Sequence, residues 1–243
     1  VAVAIGADKL IFLADGAGLV DKKGTVIDAL TVDEAEQLLG KARQAPEIER
    51  VLRGSIRACR GGVGRVHFLD RKADGAMLME FFTRDGFGTV MTQDPLALLR
   101  NATVDDVGAI LGLIEPLEAD GTLVKRGRER LEMEIERFSV LEHDGVIVGC
   151  AALYPFSSEK AAELACLAVD PEFRRAGYGD QLRRHIEARA KKLKLKKLFV
   201  LTTRTAHWFI ERGFAEAPPD TLPAARRELY NFQRRSKVFV KAL

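Results

Sequence analysis

The chain has 243 residues, 47% of them apolar, and a formal net charge of +3 from 38 basic and 35 acidic side chains. That length supports one large domain or two modest ones with separate cores, and the near balance of charge argues against a dedicated nucleic-acid binder. No apolar run approaches the roughly 20 residues of a membrane span, and Cys59, Cys150 and Cys166 are widely separated without a C-x-x-C pair, which points to a reducing compartment, the cytoplasm. Val1 opens the chain without a methionine or a basic-then-apolar leader. The first residues read as a helix entering a strand, so a fragment of a longer protein is expected.

Residues 9–14 (KLIFLA) form a short apolar run closed by Asp15-Gly16, the signature of a buried strand, with a second turn at Lys23-Gly24. Thr31 and Glu34 have capping-box spacing and open a helix with Ala35, Leu38 and Leu39 inward. Residues 65–70 (RVHFLD) are the next strand, residues 76–82 a short helix, and residues 86–91 (GFGTVM) lead into a further strand. Around Gln93-Asp94-Pro95 the pattern breaks, which divides the chain into residues 1–95 and 96–243.

In the second part Thr103 caps a helix with Val107, Ile110, Leu111 and Ile114 inward, and Pro116 is expected to end it. A charged helix follows with Leu131 and Ile135 inward. Residues 138–156 read as two strands around Asp144-Gly145, a type I′ turn signal. Residues 163–169 (ELACLAV) complete a meander, and after a basic loop comes a helix with Leu182, Ile186, Ala190 and Leu193 on one face. A strand at 196–202, a short helix around Trp208 ending at Gly213, and a strand at 238–240 close the chain.

The loop after the meander, VDPEFRRAGYGDQL (169–182), joins a strand to a helix N-terminus through Gly177 and Gly179. Unpaired amides and the helix dipole favour an anion there, and Arg174 and Arg175 add charge. A glycine pair alone reads rather as a flexible basic loop before a helix. The spacing Arg174-x-x-Gly177-x-Gly179, placed after such a meander, resembles the Q/R-x-x-G-x-G/A signature of the GNAT acetyltransferase superfamily over roughly residues 98–243. The resemblance implies a mixed α/β acyltransferase domain that binds acetyl-CoA. Its pyrophosphate would lie on Arg174, Arg175, Ala176, Gly177, Tyr178 and Gly179, and its pantetheine arm along the backbone of Cys166, Leu167, Ala168 and Val169.

A narrower likeness rests on LIEPLEADGTLVKRGRERLE, ELACLAV, WFIERGF and RRSKVFVKAL, which resemble the acetyltransferase domain of the bacterial N-acetylglutamate synthases. GADKLIFLADGAGLVD and GVGRVHFLD with GAMLMEFFTRDGFGT resemble the C-terminal part of the amino acid kinase-like domain fused to it. The fold implied is a partial kinase-like α/β lobe followed by a GNAT domain. The reaction implied is acetyl transfer to the α-amine of L-glutamate, the first step of arginine biosynthesis.

By this resemblance Glu163 is the general base, although from its position alone it is equally a solvated strand-end carboxylate. Thr202 stands where the family proposes a hydroxyl that protonates the leaving thiolate; the family position is often serine. Arg126, Arg234 and Ser236 would bind the two carboxylates of glutamate, with Arg226 a weaker candidate, since the arginine fork matches a carboxylate. Most basic runs, such as KKLKLKK (191–197), are solvated faces. His67, Glu80 and Gly86 match residues around an inhibitory L-arginine site, with Glu80 countering the effector's charge; His67 alone is also an ordinary core histidine. His143, His185 and His207 read as surface or unassigned.

No metal-ligand spacing is present. The stretch RGSIRACRGGVGR lacks the glycine-rich, lysine-bearing segment of active acetylglutamate kinases, which argues for a regulatory and homo-oligomerising role of the first part. The alternatives are an acetyltransferase with another amine acceptor, a non-catalytic arginine sensor, and an ATP-consuming kinase.

Overall fold

Short apolar runs punctuated by turn residues become the strands of the first unit. The computed structural model describes residues 1–16, 18–21, 24–41, 46–82, 88–230 and 236–243. They fall into two units, Val1–Leu96 and Ala97–Leu243. The first contains β1 (Lys9–Ala14), β2 (Ala29–Thr31), α1 (Val32–Lys41), α2 (Pro46–Arg60), β3 (Arg65–Asp70), α3 (Ala76–Phe82) and β4 (Thr89–Thr92). Its sheet runs β1-β3-β4-β2, with β3 and β4 antiparallel and both outer pairs parallel.

The capping box that opens α1 is present: Glu34 Oε2 accepts from the Thr31 N–H at 2.8 Å, and the Glu34 N–H donates to Thr31 Oγ1 at 3.2 Å. Leu52 and Ile56 of α2 meet Val66, Phe68 and Met91 of the sheet in the core. Neither α2 nor β2 is anticipated from sequence, and residues 1–6 form turns instead of the expected helix. Gly6 there is left-handed at φ +62, a conformation that stops helical propagation.

The second unit is one seven-stranded sheet between two helical layers. In chain order it contains β5 (Ala97–Asn101), α4 (Val107–Ala119), α5 (Arg128–Met133), β6 (Phe138–His143), β7 (Val146–Phe156) and β8 (Ala161–Val169). It continues with α6 (Tyr178–Lys192), β9 (Lys197–Thr202), α7 (Ala206–Ile210), β10 (Ala215–Ala217), α8 (Ala224–Glu228) and β11 (Lys237–Ala242). The strand order is β10-β11-β9-β8-β7-β6-β5, antiparallel throughout except for the β8–β9 pair. Leu182, Ile186 and Ala190 of α6 pack on one face with Val148, Leu198 and Phe239. Val107, Ile110, Ile114 and Leu131 cover the other face with Phe138 and Val140. Asp144 and Gly145 both have positive φ, +52 and +76, as a type I′ hairpin requires.

Two expectations fail on helix ends. Pro116 lies inside α4, which continues to Ala119. A proline there removes one backbone bond and presses on the carbonyl four residues back; that residue is Gly112, with no side chain to resist the tilt. Leu193 is 56% exposed, because α6 ends at Lys192 and Leu195 occupies the core in its place. The strands β5 and β10 and the helix α8 are also absent from the sequence reading.

These two leucines give a paired test. Leu182→Ala should destabilise the protein by about 2–5 kcal/mol, the range for an enclosed leucine truncated to alanine, whereas Leu193→Ala should stay within about 0.5 kcal/mol. Urea midpoints of the two variants against wild type check this, and equal midpoints would contradict the packing of α6.

Candidate active site

The parallel strands β8 and β9 pair only from Ala161–Lys197 to Glu163–Phe199, yet β8 continues to Val169 and β9 to Thr202. Past Glu163 the two strands part. β9 stays paired with β11 as far as Thr202 and β8 with β7 as far as Val169, so among the described residues the facing edges of both strands are left without a ladder partner, the longer of them on β8.

A bulge also interrupts the β7-facing edge of β8. Cys150 pairs with Ala168 and Ala152 with Ala165, so Cys166 and Leu167 fall opposite Ala151 alone. Cys166 takes φ +50 to do so, a conformation that costs a non-glycine residue on the order of 1–3 kcal/mol. Its carbonyl accepts from the Cys150 thiol at 3.5 Å. Burial pushes the Cys166 thiol up to about 12, against the opposing pull of Arg126. The thiol is therefore protonated at neutral pH and is not a nucleophile.

Glu163 sits at the apex of the fork with only 11% of its side chain exposed. Arg226 of α8 grips it with both prongs: Nε donates to Oε2 at 2.6 Å and Nη2 to Oε1 at 3.2 Å. Sequence reasoning placed both residues at the site but not in contact. On the other arm, Thr202 Oγ1 accepts from the N–H groups of Thr205 at 3.0 Å and Arg204 at 3.3 Å, and lies 2.8 Å from Thr205 Oγ1. Two donated bonds occupy lone pairs of the Thr202 hydroxyl, and in its contact with Thr205 Oγ1 either oxygen can be the donor. The Arg204 side chain donates to Asp120 Oδ2 and to the Asp120 carbonyl, each at 2.9 Å, tying the loop after Thr202 to the end of α4.

Arg126 lies in the α4–α5 connection. Its N–H donates to Glu118 Oε1 at 2.8 Å, and its guanidinium stands 5.8 Å from the centre of the Tyr154 ring. The Tyr154 hydroxyl donates to Glu134 Oε2 at 2.6 Å. Among the described residues the buried Nε of Arg126 has no hydrogen-bond partner, which leaves a donor for an incoming acceptor. Ser236 is buried immediately before Lys237, the residue paired with Thr202, and its carbonyl accepts from the Tyr230 hydroxyl. Arg234 lies outside the described residues.

At the far end of β8, Asp170 Oδ1 accepts from the Glu172 N–H at 2.9 Å and Gly177 takes φ +74 before α6. A Cβ on Gly177 would meet nothing within 4 Å, so this glycine supplies conformation more than room. Arg174, Ala176 and Gly177 are exposed, and Gly179 is half-buried. The Arg175 side chain lies outside the description. The Tyr178 side chain turns inward: its hydroxyl is 2.6 Å from His143 Nδ1 and its ring stacks on Phe173. Only its backbone remains for a ligand, and His143 is held in this cluster instead of lying on a plain surface. His185 is also half-buried, and burial lowers its pKa.

In the first unit His67 of β3 and Glu80 of α3 come together, with Nδ1 2.5 Å from Oε1. Nδ1 is thus held against the carboxylate, and the other ring nitrogen, Nε2, is buried without a hydrogen-bond partner among the described residues. Gly86 lies outside the described residues. A cleft of about 660 Å³ elsewhere in this unit is lined by Glu36, Arg53, Arg57 and Arg60. Its arginines are partly engaged, Arg53 with Glu49 and Arg60 with Glu36, and it contains none of the residues above.

The acetyltransferase (GNAT) family matches residues 112–214. An amino-acid acetyltransferase from Ralstonia nicotianae is 50% identical over 242 residues, covering 100% of this chain and 54% of the relative. One from Azotobacter vinelandii is 52% identical, covering 100% and 56%. The chain thus spans about half the length of the curated relatives it matches. N-acetylglutamate synthase from Neisseria gonorrhoeae, crystallised with coenzyme A and L-arginine, superposes with a TM-score of 0.80 at 41% identity over 100% of this chain and 55% of that one. The same synthase with coenzyme A and N-acetyl-glutamate gives 0.61 at 42% identity, over 100% and 57%.

The His67–Glu80 contact predicts a pH response. Burial lowers the His67 pKa and Glu80 raises it, leaving it below the ordinary value. Glu80→Gln should therefore lower it further, read from ring-proton NMR shifts across pH. The unfolded chain takes the proton first, so His67 should cost the protein stability as pH falls through about 6.5 toward the folded-state pKa. A His67 that titrates above 6.5 would contradict its burial.

Proposed function

We propose a function from the premise that the chain belongs to the amino-acid acetyltransferase family: it transfers acetyl from acetyl-CoA to the α-amine of L-glutamate in one step, with both reactants bound. The observation that carries this reading is the fork, with a buried carboxylate at its apex, a hydroxyl on one arm and unpaired backbone on the other. The synthase crystallised with coenzyme A and N-acetyl-glutamate supports it, since that pair is a spent donor beside an acetylated acceptor.

Acetyl-CoA, when bound, supplies the activated thioester. The free edge of β8 suits its pantetheine arm, and the bulge amides at Cys166 and Leu167 suit the carbonyl that gathers charge during attack. The amides at Gly177, Tyr178 and Gly179, with Arg174 beside them, suit the pyrophosphate. The residues present therefore fit the group.

Glu163 takes the proton that the α-ammonium must lose before it attacks. Thr202 gives its hydroxyl proton to the departing sulfur. Cys166, a buried protonated thiol, does not carry the acetyl group, which favours direct transfer over a covalent relay. Holding both reactants in one cleft supplies much of the acceleration. The two glutamate carboxylates require cations and donors, and Arg126, Arg226, Arg234 and Ser236 supply them. We assign His67, Glu80 and Gly86 to an L-arginine effector site, the first unit to assembly of copies, and the protein to the cytoplasm.

Acetyl-CoA turnover over a panel of amino acids tests the reading. A preference for glutamate is expected, and a flat profile or none would overturn it. Glu163→Gln should lower kcat by roughly 10²–10⁴ with little loss of coenzyme affinity. The deficit should shrink as pH rises toward the ammonium pKa, because more amine then arrives neutral; near-normal turnover at neutral pH would remove Glu163 from the role.

A second measurement addresses the loop. Gly177→Asp should weaken coenzyme A binding at least about tenfold, because a left-handed residue gains a Cβ and a carboxylate comes to face an anion. Gly177→Asn tolerates positive φ without the charge and should bind nearly as wild type. Calorimetric titration separates the two, and equal affinities would deny the loop its phosphate role.

A further inference from the structure

Glu163 has a role that demands free oxygens, yet both of its oxygens are occupied by one guanidinium. A carboxylate already accepting two charge-assisted hydrogen bonds is a poor acceptor for a third proton. The pair is enclosed, with 11% of Glu163 and 18% of Arg226 side-chain surface exposed. Solvent therefore does not compete strongly for either partner.

The element that carries Arg226 is lightly held. α8 is five residues long and buries none of them. Its backbone is held locally, with the Arg226 and Arg227 N–H groups donating to the Pro223 carbonyl at 2.9 Å, while its further bonds that involve side chains are long: Nη1 to the Leu229 carbonyl and the Ala224 N–H to Glu159 Oε1, each at 3.4 Å. Arg126, the other cation assigned to the acceptor, still has a buried Nε without a hydrogen-bond partner among the described residues.

We infer that Arg226 is a positioning residue that clasps Glu163 while the acceptor is absent and exchanges it for an acceptor carboxylate when the acceptor binds. The inference rests on the acetyltransferase reading above. The exchange conserves charge around Arg226, since one carboxylate replaces another. Glu163 then stands buried and unpaired beside the incoming ammonium. A desolvated carboxylate without a cation has a raised affinity for protons, so the event that seats the acceptor also turns Glu163 into a base.

The same clasp protects the thioester. Without an acceptor, the competing reaction is hydrolysis. A water oxygen bonds to the acetyl carbon, the carbon–sulfur bond breaks, and the water proton held at Glu163 ends on the departing sulfur, giving acetate and CoA. A clasped Glu163 cannot take that proton. Arg226 thereby couples base activation to carboxylate-bearing acceptors, which makes it a determinant of specificity as well as a binding residue.

The test uses the full protein and begins with wild-type transfer to glutamate, whose absence would sink the acetyltransferase reading itself. With transfer established, glutarate, a dicarboxylate with no amine to acetylate, is added to wild type and acetyl-CoA. It should raise acetate formation severalfold as it draws Arg226 away. Arg226→Gln should raise glutarate-independent acetate formation about tenfold and raise the glutamate KM by a similar factor. Adding Glu163→Gln to that variant should return hydrolysis to the wild-type level. Arg226→Lys, which keeps charge but not the fork, should fall between. Three results would overturn the exchange while leaving the transfer reading intact. One is no stimulation by glutarate at concentrations that inhibit glutamate acetylation. Another is an Arg226→Gln variant with a raised KM but wild-type hydrolysis. The third is hydrolysis that survives Glu163→Gln, which would mean a loosened cleft. The glutarate measurement needs no variant, so poor folding of Arg226→Gln does not blunt the test.

Discussion

The second unit is organised by the point at which two parallel strands can no longer stay paired. β8 and β9 hold together through Glu163 and Phe199 and then part. β9 keeps its bonds to β11, and β8 keeps β7 on its other side. Backbone N–H and C=O groups buried without partners are costly. Facing edges that part inside a sheet therefore suit the extended ligand proposed for them, much as an exposed sheet edge receives an added strand. The bulge at Cys166, with its positive φ, takes Cys166 and Leu167 out of one-to-one register with β7 beside that fork.

The residues proposed for the chemistry are hung around that fork by different elements. The apex holds Glu163 and one arm holds Thr202. The α4–α5 connection brings Arg126, α8 brings Arg226, the approach to β11 brings Ser236, and the turn into α6 brings Gly177. Segments this far apart in sequence need fastening, and the Arg204–Asp120 contact does part of it. The electrostatic pattern pairs buried Glu163 with Arg226, while Glu118 and Glu134 lie on the Arg126 side. Removing one partner from such an enclosed pair leaves the other charge exposed to a large desolvation penalty. An exchange of partners avoids that penalty at Arg226 and places it on Glu163, where it has a chemical use.

The His67–Glu80 contact in the first unit has the opposite character. Burial opposes the charged imidazole while Glu80 favours it, so a small change in surroundings alters the balance. Only Nε2 of the His67 ring is buried without a close partner among the described residues.

Much of the fold was legible because local chemistry settles it. Asp144-Gly145 tolerates the positive φ of a type I′ turn, Thr31 and Glu34 cap a helix three residues apart, and Leu182, Ile186 and Ala190 recur at helical spacing. Each depends on residues within one or two turns of one another. Helix ends were less legible: Pro116 reads as a stop but sits inside α4 above a glycine, and Leu193 continues the apolar spacing past the point where α6 ends. Short edge elements such as β5, β10 and α8 carry too little periodicity to register.

By itself the sequence determined which residue types were available for the site: a carboxylate opening one strand, a hydroxyl closing another, arginines near both, and a glycine suited to positive φ before a helix. Motif likeness raised these above ordinary surface residues. Only the tertiary structure decided their partners. That Glu163 is clasped by Arg226, 63 positions away, that the Tyr178 side chain belongs to the core with His143, and that the Thr202 hydroxyl meets Thr205 all depend on which strand edges meet and where they part. Those distances are set by the packing of the whole sheet between its helices, a long-range property that no local pattern encodes.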